Sequence, residues 1–198
     1  MLKNNKVLLA SSNQGKIREF KKIFKGFDFI YKEDLGIDDA VEDGISFFEN
    51  ALKKARHGSN KSGLLTIADD SGLVVPGLDY EPGIYSARYA GEGASDKDNR
   101  DKIIDQLNKK NVSSLEAFYI CVLVGVRSDL DPIPLYSVGE IHGRISTKSS
   151  GDGGFGYDKI FYPNGYDVSM ASIDPEEKNK ISHRAVAARS FIKELEKL

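Results

Sequence analysis

Thr66-Ile67-Ala68-Asp69-Asp70-Ser71-Gly72-Leu73-Val74-Val75 sets two adjacent carboxylates inside an otherwise apolar run. A short apolar run bounded by turn residues is expected to be a buried strand. Carboxylates placed there face a large desolvation cost unless a cation, a set of hydrogen bonds or water offsets it. The pair is therefore either a site that a cation completes or a polar strand end whose acids accept turn amides. Successive strand side chains point to opposite faces, so the two acids need not share one site.

Two glycine-bearing segments and one basic pair are the other candidates. Ser11-Ser12-Asn13-Gln14-Gly15-Lys16 lies between a strand-like Lys6–Ala10 and a helical pattern. The unpaired amides and positive dipole end of a helix N-terminus suit phosphate, and Lys16 adds a point charge. The spacing is not that of a P-loop, because Ile17 and not Ser or Thr follows the lysine. Gly151-Asp152-Gly153-Gly154-Phe155-Gly156 has the spacing G-x-G-x-x-G. A dinucleotide fingerprint must follow a strand and open a helix, whereas here Thr147–Ser150 precede and a strand-like Tyr157–Tyr162 follows. A loop presenting Phe155, Tyr157 and Asp158 remains, whose aromatics either form a stacking slot for a base or return to the core. Ser182 is a candidate N-cap that leaves His183 and Arg184 in a first helical turn, pointing away from the body, either as donors or as solvated surface. His57 and His142 show no metal-ligand spacing.

The elements that must position these residues follow from periodicity. Ile17, Phe20 and Phe24 recur at helical spacing after the first turn, and Phe27–Tyr31 is a second strand. Strand, turn, helix and strand at this spacing imply an α/β fold. An acidic, irregular stretch over 32–44 holds Glu42. Ser46 with Glu49 forms a capping-box signature before a helix with Phe48, Ala51, Leu52 and Ala55 on one stripe and Lys54 at its edge. Ser95 and Asp98 cap another helix. Ala117–Val126 and Ile133–Ile145 read as a long hairpin, with Pro134 at an edge or a strand start. Asp174-Pro175-Glu176-Glu177-Lys178 leads to a last helix with Ala188, Phe191, Ile192 and Leu195 on one face.

Composition narrows the classes. A chain of 198 residues holds one domain or two closely joined lobes. Lys and Arg number 28 against 30 Asp and Glu, and a net charge of -2 argues against a general nucleic-acid or membrane-surface binder. The one cysteine, Cys121, sits in the strand-like Phe118–Val124 and reads as a small core hydrophobe. No apolar run reaches membrane-spanning length and no apolar leader opens the chain, so a cytoplasmic protein is expected.

Six stretches, in this order, resemble the inosine triphosphate pyrophosphatase family, the Ham1 or RdgB-like non-standard purine nucleoside triphosphatases. They are Ser11–Lys16, Phe48-Glu49-Asn50-Ala51 with Lys54-Ala55-Arg56, Ala68–Leu73, Pro82–Tyr89, Gly153–Asp158, and Glu177-Lys178 with Ile181–Arg184. Family members commonly carry Thr-Gly-Asn in the first motif, where this chain has Ser11-Ser12-Asn13.

The resemblance implies one domain over residues 1–198: an elongated mixed sheet flanked by helices, in two lobes with the active site in the cleft between them. It implies hydrolysis of ITP, dITP and XTP to the monophosphate and pyrophosphate with Mg²⁺, by a homodimer that acts on the free nucleotide. Asp70 would be the catalytic acid-base residue and a metal ligand, and Glu42 the second metal carboxylate. Lys16, Lys54 and Lys178 would hold phosphates, and Ser11, Ser12, Asn13, Gln14, Gly15, Ser71 and Gly156 would also bind substrate. Phe155, Tyr157 and Asp158 would enclose the nucleoside, and His183 and Arg184 would read the base. Asp69 is left as either a distal metal ligand or a structural acceptor. The competing readings are a Maf-type pyrophosphatase acting on other nucleotides and a nucleotide sensor without turnover.

Overall fold

Alternation of short apolar runs with capped amphipathic helices produces a mixed open sheet in the computed structural model, which describes residues 6–24 and 26–196. The single domain expected over 1–198 thus includes residues 1–5, 25 and 197–198, which lie outside the described residues. Strand β1 (Lys6–Leu9) leads through the Ser11–Asn13 turn into α1 (Gln14–Ile23). Asn13 caps that helix by accepting the Lys16 amide, and Ile17 and Phe20 form its buried stripe. Strand β2 (Asp28–Tyr31) pairs parallel to β1. Helix α2 (Phe47–Ser62) then connects to β3 (Leu65–Val74), which pairs parallel to the other side of β1. Ser46 caps α2 through the Glu49 amide, while the Glu49 carboxylate reaches the Ile45 amide at 2.7 Å, one residue before the position of an ordinary capping box.

Helix α3 (Asp96–Lys109), opened by the Ser95–Asp98 capping box, precedes the hairpin β4 (Ser114–Val126) and β5 (Leu135–Ser146). Pro134 falls just before β5, where no ladder amide is required. The hairpin turn is organised by Asp131, whose carboxylate accepts from the Arg127 amide and guanidinium and from the Ile133 amide. Strand β6 (Phe161–Pro163) pairs antiparallel to β5, giving the sheet order β2-β1-β3-β4-β5-β6.

Two expectations need correction here. The strand expected over Tyr157–Tyr162 is confined to Phe161–Pro163. Tyr157 instead accepts the Ile160 and Phe161 amides, so local turn bonds take the groups a ladder would need. The segment before the last helix is itself a helix, α4 (Pro175–Ile181), with Asp174 as its cap and Pro175 at its first position. Ser182 closes α4 by donating its amide to Lys178, and α5 (His183–Leu195) starts at once.

The chain forms two compact units, Met1–Asp70 with Cys121–Gly139 and His183–Leu198, and Ser71–Ile120 with Glu140–Ser182. Each has its own apolar core. In the first, Leu9 and Ile67 of the strands meet Phe20 and Phe24 near α1, Cys121 and Leu123 of β4, and Phe191 of α5. In the second, Leu73, Ile103, Leu107, Ile145 and Phe161 pack together, with the Tyr119 ring edge-on to Phe161 at 4.8 Å. Full burial of each such side chain is worth about 1.5–3 kcal/mol. None of the described helices is long and apolar enough to cross a membrane.

Within the first unit, α5 lies directly on β5. A Cβ at Gly139 would sit 2.2 Å from the His183 carbonyl oxygen and 2.3 Å from the Ala187 amide nitrogen. Ser137 Oγ also donates to the Ala187 carbonyl at 2.8 Å. Gly139→Ala must therefore push the helix off the strand, and is expected to lower unfolding free energy by about 1–3 kcal/mol. Urea denaturation of the two proteins measures this, and an unchanged midpoint would refute the close packing.

Candidate active site

In the first unit the charged residues singled out above converge on β3. Residues Thr66–Asp70 are buried without a break, so strand alternation sends neither aspartate to solvent. Asp69 is 1% exposed and Asp70 5%. Each has its own cation. Lys16, from the first turn of α1, reaches Asp69 Oδ2 at 2.8 Å. Lys54, from α2, lies 3.3 Å from Asp70 Oδ1 and 3.2 Å from Glu42 Oε1. The second Asp70 oxygen faces Asn50 Nδ2 at 3.3 Å. The carboxylates thus lie within a continuous strand, and lysines from two helices compensate them.

The same neighbours divide the two aspartates electrostatically. Burial alone would push Asp69 up, but Lys16, Lys54 and Arg184 together overturn that, and its carboxyl lies below the usual carboxylate range. Burial also pushes Asp70 up; Lys54 and Lys16 pull it back, Glu42 and Asp69 oppose them, and Asp70 stays above that range. For Lys54, burial disfavours the charge, yet Asp70, Asp69 and Glu42 outweigh it and hold its ammonium above the usual lysine value. In this structure Asp69 is the counter-ion of Lys16. A carboxyl displaced upward beside one that stays ionised suits proton transfer at Asp70.

Around this pair, Ser12, Asn13 and Gln14 are exposed at the head of α1, and Ser11, Gly15 and Lys16 are half-buried. Asn13 already occupies the Lys16 amide at 3.1 Å, leaving Gln14 and Gly15 as first-turn amides to which helix geometry assigns no internal acceptor. Ser12 Oγ donates to Asp39 at 3.2 Å and so ties this turn to the acidic loop; the Lys32 ammonium meets the same carboxylate. His57 contacts Asp38, also on that loop, at 3.1 Å. Glu42 and Asp70 offer hard oxygen donors that already share one cation, and Mg²⁺ takes one or two carboxylates together with water and phosphate oxygens. Among the described residues no three His, Cys, Asp or Glu side chains form a metal cluster, so a cation at this place would rest on those two carboxylates and fill its shell with water or phosphate oxygens.

His183 and Arg184 correct the sequence expectation. They are 3% and 5% exposed, not directed away from the body. Their helix packs into the core through Ala187, Ala188 and Phe191, and the Arg184 guanidinium is compensated by Glu19 of α1 at 3.0 Å. Burial of an arginine requires such a partner.

The second unit holds the other predicted residues. Asp158 is the centre of the glycine-rich loop: its Oδ2 accepts from the Phe155 amide at 2.9 Å and meets Lys178 Nζ at 2.7 Å. Gly154, at φ +72, lies so near that a Cβ would stand 2.1 Å from that oxygen. Gly156 donates its amide to Asp96 and accepts Arg100, both at 2.6 Å. Lys178 Nζ lies 5.2 Å from the centre of the half-buried Phe155 ring. Tyr157 points inward: it is 3% exposed, its hydroxyl donates to the Ser86 carbonyl at 2.8 Å, and its ring belongs to the core. Of the two aromatics expected to line a slot, Tyr157 is buried and Phe155 half-buried. Ser71, at the first position of this unit, is half-buried.

Sequence reasoning missed Asn50 and Glu19 as members of these networks. Asn50 lay inside a matched motif, but a lone Asn near a helix start reads as a cap or turn residue; Glu19 had no signal beyond its place on the first helix.

The Ham1 family model matches residues 7–194. A dITP/XTP pyrophosphatase of Legionella pneumophila (strain Paris) is 46% identical over 91% of this chain and 93% of its own. Among solved structures, a HAM1 protein from Coxiella burnetii has a TM-score of 0.91 at 36% identity, covering 98% of this chain and 100% of that one. The Staphylococcus aureus Ham1 protein has a TM-score of 0.85 at 39% identity, covering 97% and 98%.

The opposite displacement of the two aspartates has a measurable consequence in metal-free protein. Asp69, displaced downward, adds stability above the usual carboxylate range and loses it as pH falls through its lowered pKa. Asp70, displaced upward, costs stability as pH rises from 3.8 through its raised pKa. At pH 7, Asp69→Asn is expected to destabilise by about 3 kcal/mol, because it strands the Lys16 ammonium. Asp70→Asn should match or exceed the parent, with its gain vanishing in acid. Thermal unfolding in EDTA at several pH values tests the pair, and losses of the same sign at both positions would refute the division.

Proposed function

The chain belongs to the Ham1 family, and from that premise we propose that it hydrolyses non-standard purine nucleoside triphosphates (ITP, dITP and XTP) to the monophosphate and pyrophosphate. The observation that carries the reading is the buried Asp70, displaced upward and sharing Lys54 with Glu42 beside the amide-rich head of α1. The dITP/XTP pyrophosphatase name of the Legionella relative supports the substrate class.

In this reading water attacks the α-phosphorus and Asp70 accepts its proton. The bond from that phosphorus to the bridging oxygen breaks, and pyrophosphate leaves intact. Lys16, Lys54 and Lys178 neutralise the phosphates, with Ser11 to Gly15 and Ser71 as hydroxyl, amide and side-chain donors. Mg²⁺ held by Glu42, Asp70 and phosphate oxygens would supply stabilisation of the charge developing on the phosphoryl group. Lysines in the resting protein are already committed to carboxylates, so each one released to a phosphate leaves a carboxylate in need of a cation. Phe155 stacks on the base, and Gly156 and Asp158 enclose the nucleoside. Tyr157 supports that loop from the core. His183 and Arg184 donate to O6 of hypoxanthine or xanthine; adenine places an amino group there and leaves buried donors unmatched, a strong basis for rejection. The reading includes a homodimer acting in the cytoplasm on free nucleotides. It takes support from the family resemblance and, against nucleic-acid binding, from the net charge of -2.

Incubation with ITP and Mg²⁺ should release pyrophosphate as the direct product. Orthophosphate alone would reject the assigned bond, and faster turnover of UTP or dTTP would transfer the protein to the Maf-type reading. Asp70→Asn should lower kcat by about 10²–10⁴-fold. Tight ITP binding without any hydrolysis by the parent would leave the sensor reading.

A further inference from the structure

Asn50 is fully buried in the first turn of α2, and its carboxamide spans two parts of the charged cluster in the first unit. The Gly44 amide donates to Asn50 Oδ1 at 2.9 Å. A backbone N–H can only donate, so the carboxamide oxygen must face Gly44 and the NH₂ must face the other way. That other way is Asp70 Oδ2, 3.3 Å distant. Asp70 Oδ1 meets Lys54, one helical turn beyond Asn50 on the same face of α2. One helix face thus holds the Asp70 carboxylate by both oxygens. Both contacts are long, so they set its plane without saturating its lone pairs.

The acceptor end of Asn50 holds the backbone close to the second carboxylate. Gly44 follows Glu42 by two residues, and a Cβ at Gly44 would lie 2.7 Å from Asn50 Oδ1 and 2.8 Å from Glu49 Cβ. Gly44 is not at a positive φ, so the demand there is for space and not for backbone conformation. Closing the loop alone would need only the acceptor half of this side chain. The donor half is aimed at the acid.

We propose that Asn50 is a positioning residue of the catalytic centre, a strut that fixes the Asp70 carboxylate and the Glu42-bearing loop in register with each other through Gly44. This rests on the hydrolytic reading above. Asn50 touches neither substrate nor water in the reaction and acts through Asp70 and Glu42.

The test compares the parent, Asn50→Ala and Gly44→Ala, each checked for folding by circular dichroism. For each, kcat and KM are measured with ITP, and Mn²⁺ affinity is measured by calorimetry without nucleotide. In both variants kcat and Mn²⁺ affinity should fall roughly 10–100-fold, with little change in KM, the pattern of lost alignment and not lost substrate binding. Parental kcat and Mn²⁺ affinity in folded Asn50→Ala overturns the strut, as does a raised KM with kcat intact. Should Asn50→Ala fail to fold, Gly44→Ala decides by the same criteria, since it displaces the carboxamide from the loop side and leaves Asn50 in place. A parent that binds Mn²⁺ but does not hydrolyse ITP fails the hydrolytic reading, and the Mn²⁺ comparison alone then decides the strut. A parent that neither binds Mn²⁺ nor hydrolyses ITP removes both.

Discussion

Compensation of two adjacent buried carboxylates on a central strand is the constraint from which the first unit takes its form. Neither aspartate can turn to solvent, because the strand is buried on both faces, and an isolated ion in that setting is untenable. Cations must come from elsewhere in the chain. The Ser11–Asn13 turn starts α1 where Lys16 reaches Asp69, and the cap at Ser46 starts α2 where Asn50 and Lys54 reach Asp70. Helix starts, which look like local capping matters, are in this sense set by an electrostatic demand on a strand.

The second unit repeats the arrangement with different parts. Asp158 is buried and meets Lys178, but here the carboxylate also closes a glycine-rich loop by taking a backbone amide. Gly154 permits the approach. Removing Lys178 would therefore disturb the loop that carries Phe155 as well as any phosphate contact. Effects on affinity and on base selection at this position are physically joined, unlike those at a free surface lysine.

How far the site was legible depended on whether a residue's partners were near in sequence or in kind. Asp70, Lys16 and Lys54 drew attention as charges within or beside apolar stripes, but a polar strand end explained the aspartates equally well until the fold brought the lysines to them. The α/β order, the long hairpin and the caps at Ser46 and Ser95 followed from local periodicity and turn chemistry. Burial of Arg184 was not legible, since its partner Glu19 lies 165 residues away in sequence. Tyr157 could have faced either way, and its bond to Ser86, 71 residues distant, decided it. Helix α4 escaped notice because its seven residues are too few for periodicity to register, although Asp174-Pro175 is a sound start signal.

Cys121, wholly buried on β4 with its thiol pushed up by burial, has a practical corollary. A thiol that neither ionises nor meets solvent is inert to alkylating reagents while the protein is folded. The native chain is thus its own blank for site-directed labelling. A Val41→Cys substitution on the exposed acidic loop would introduce the single reactive sulfur, and a spin label or fluorophore there would report on the Glu42 segment with no background from the rest of the molecule.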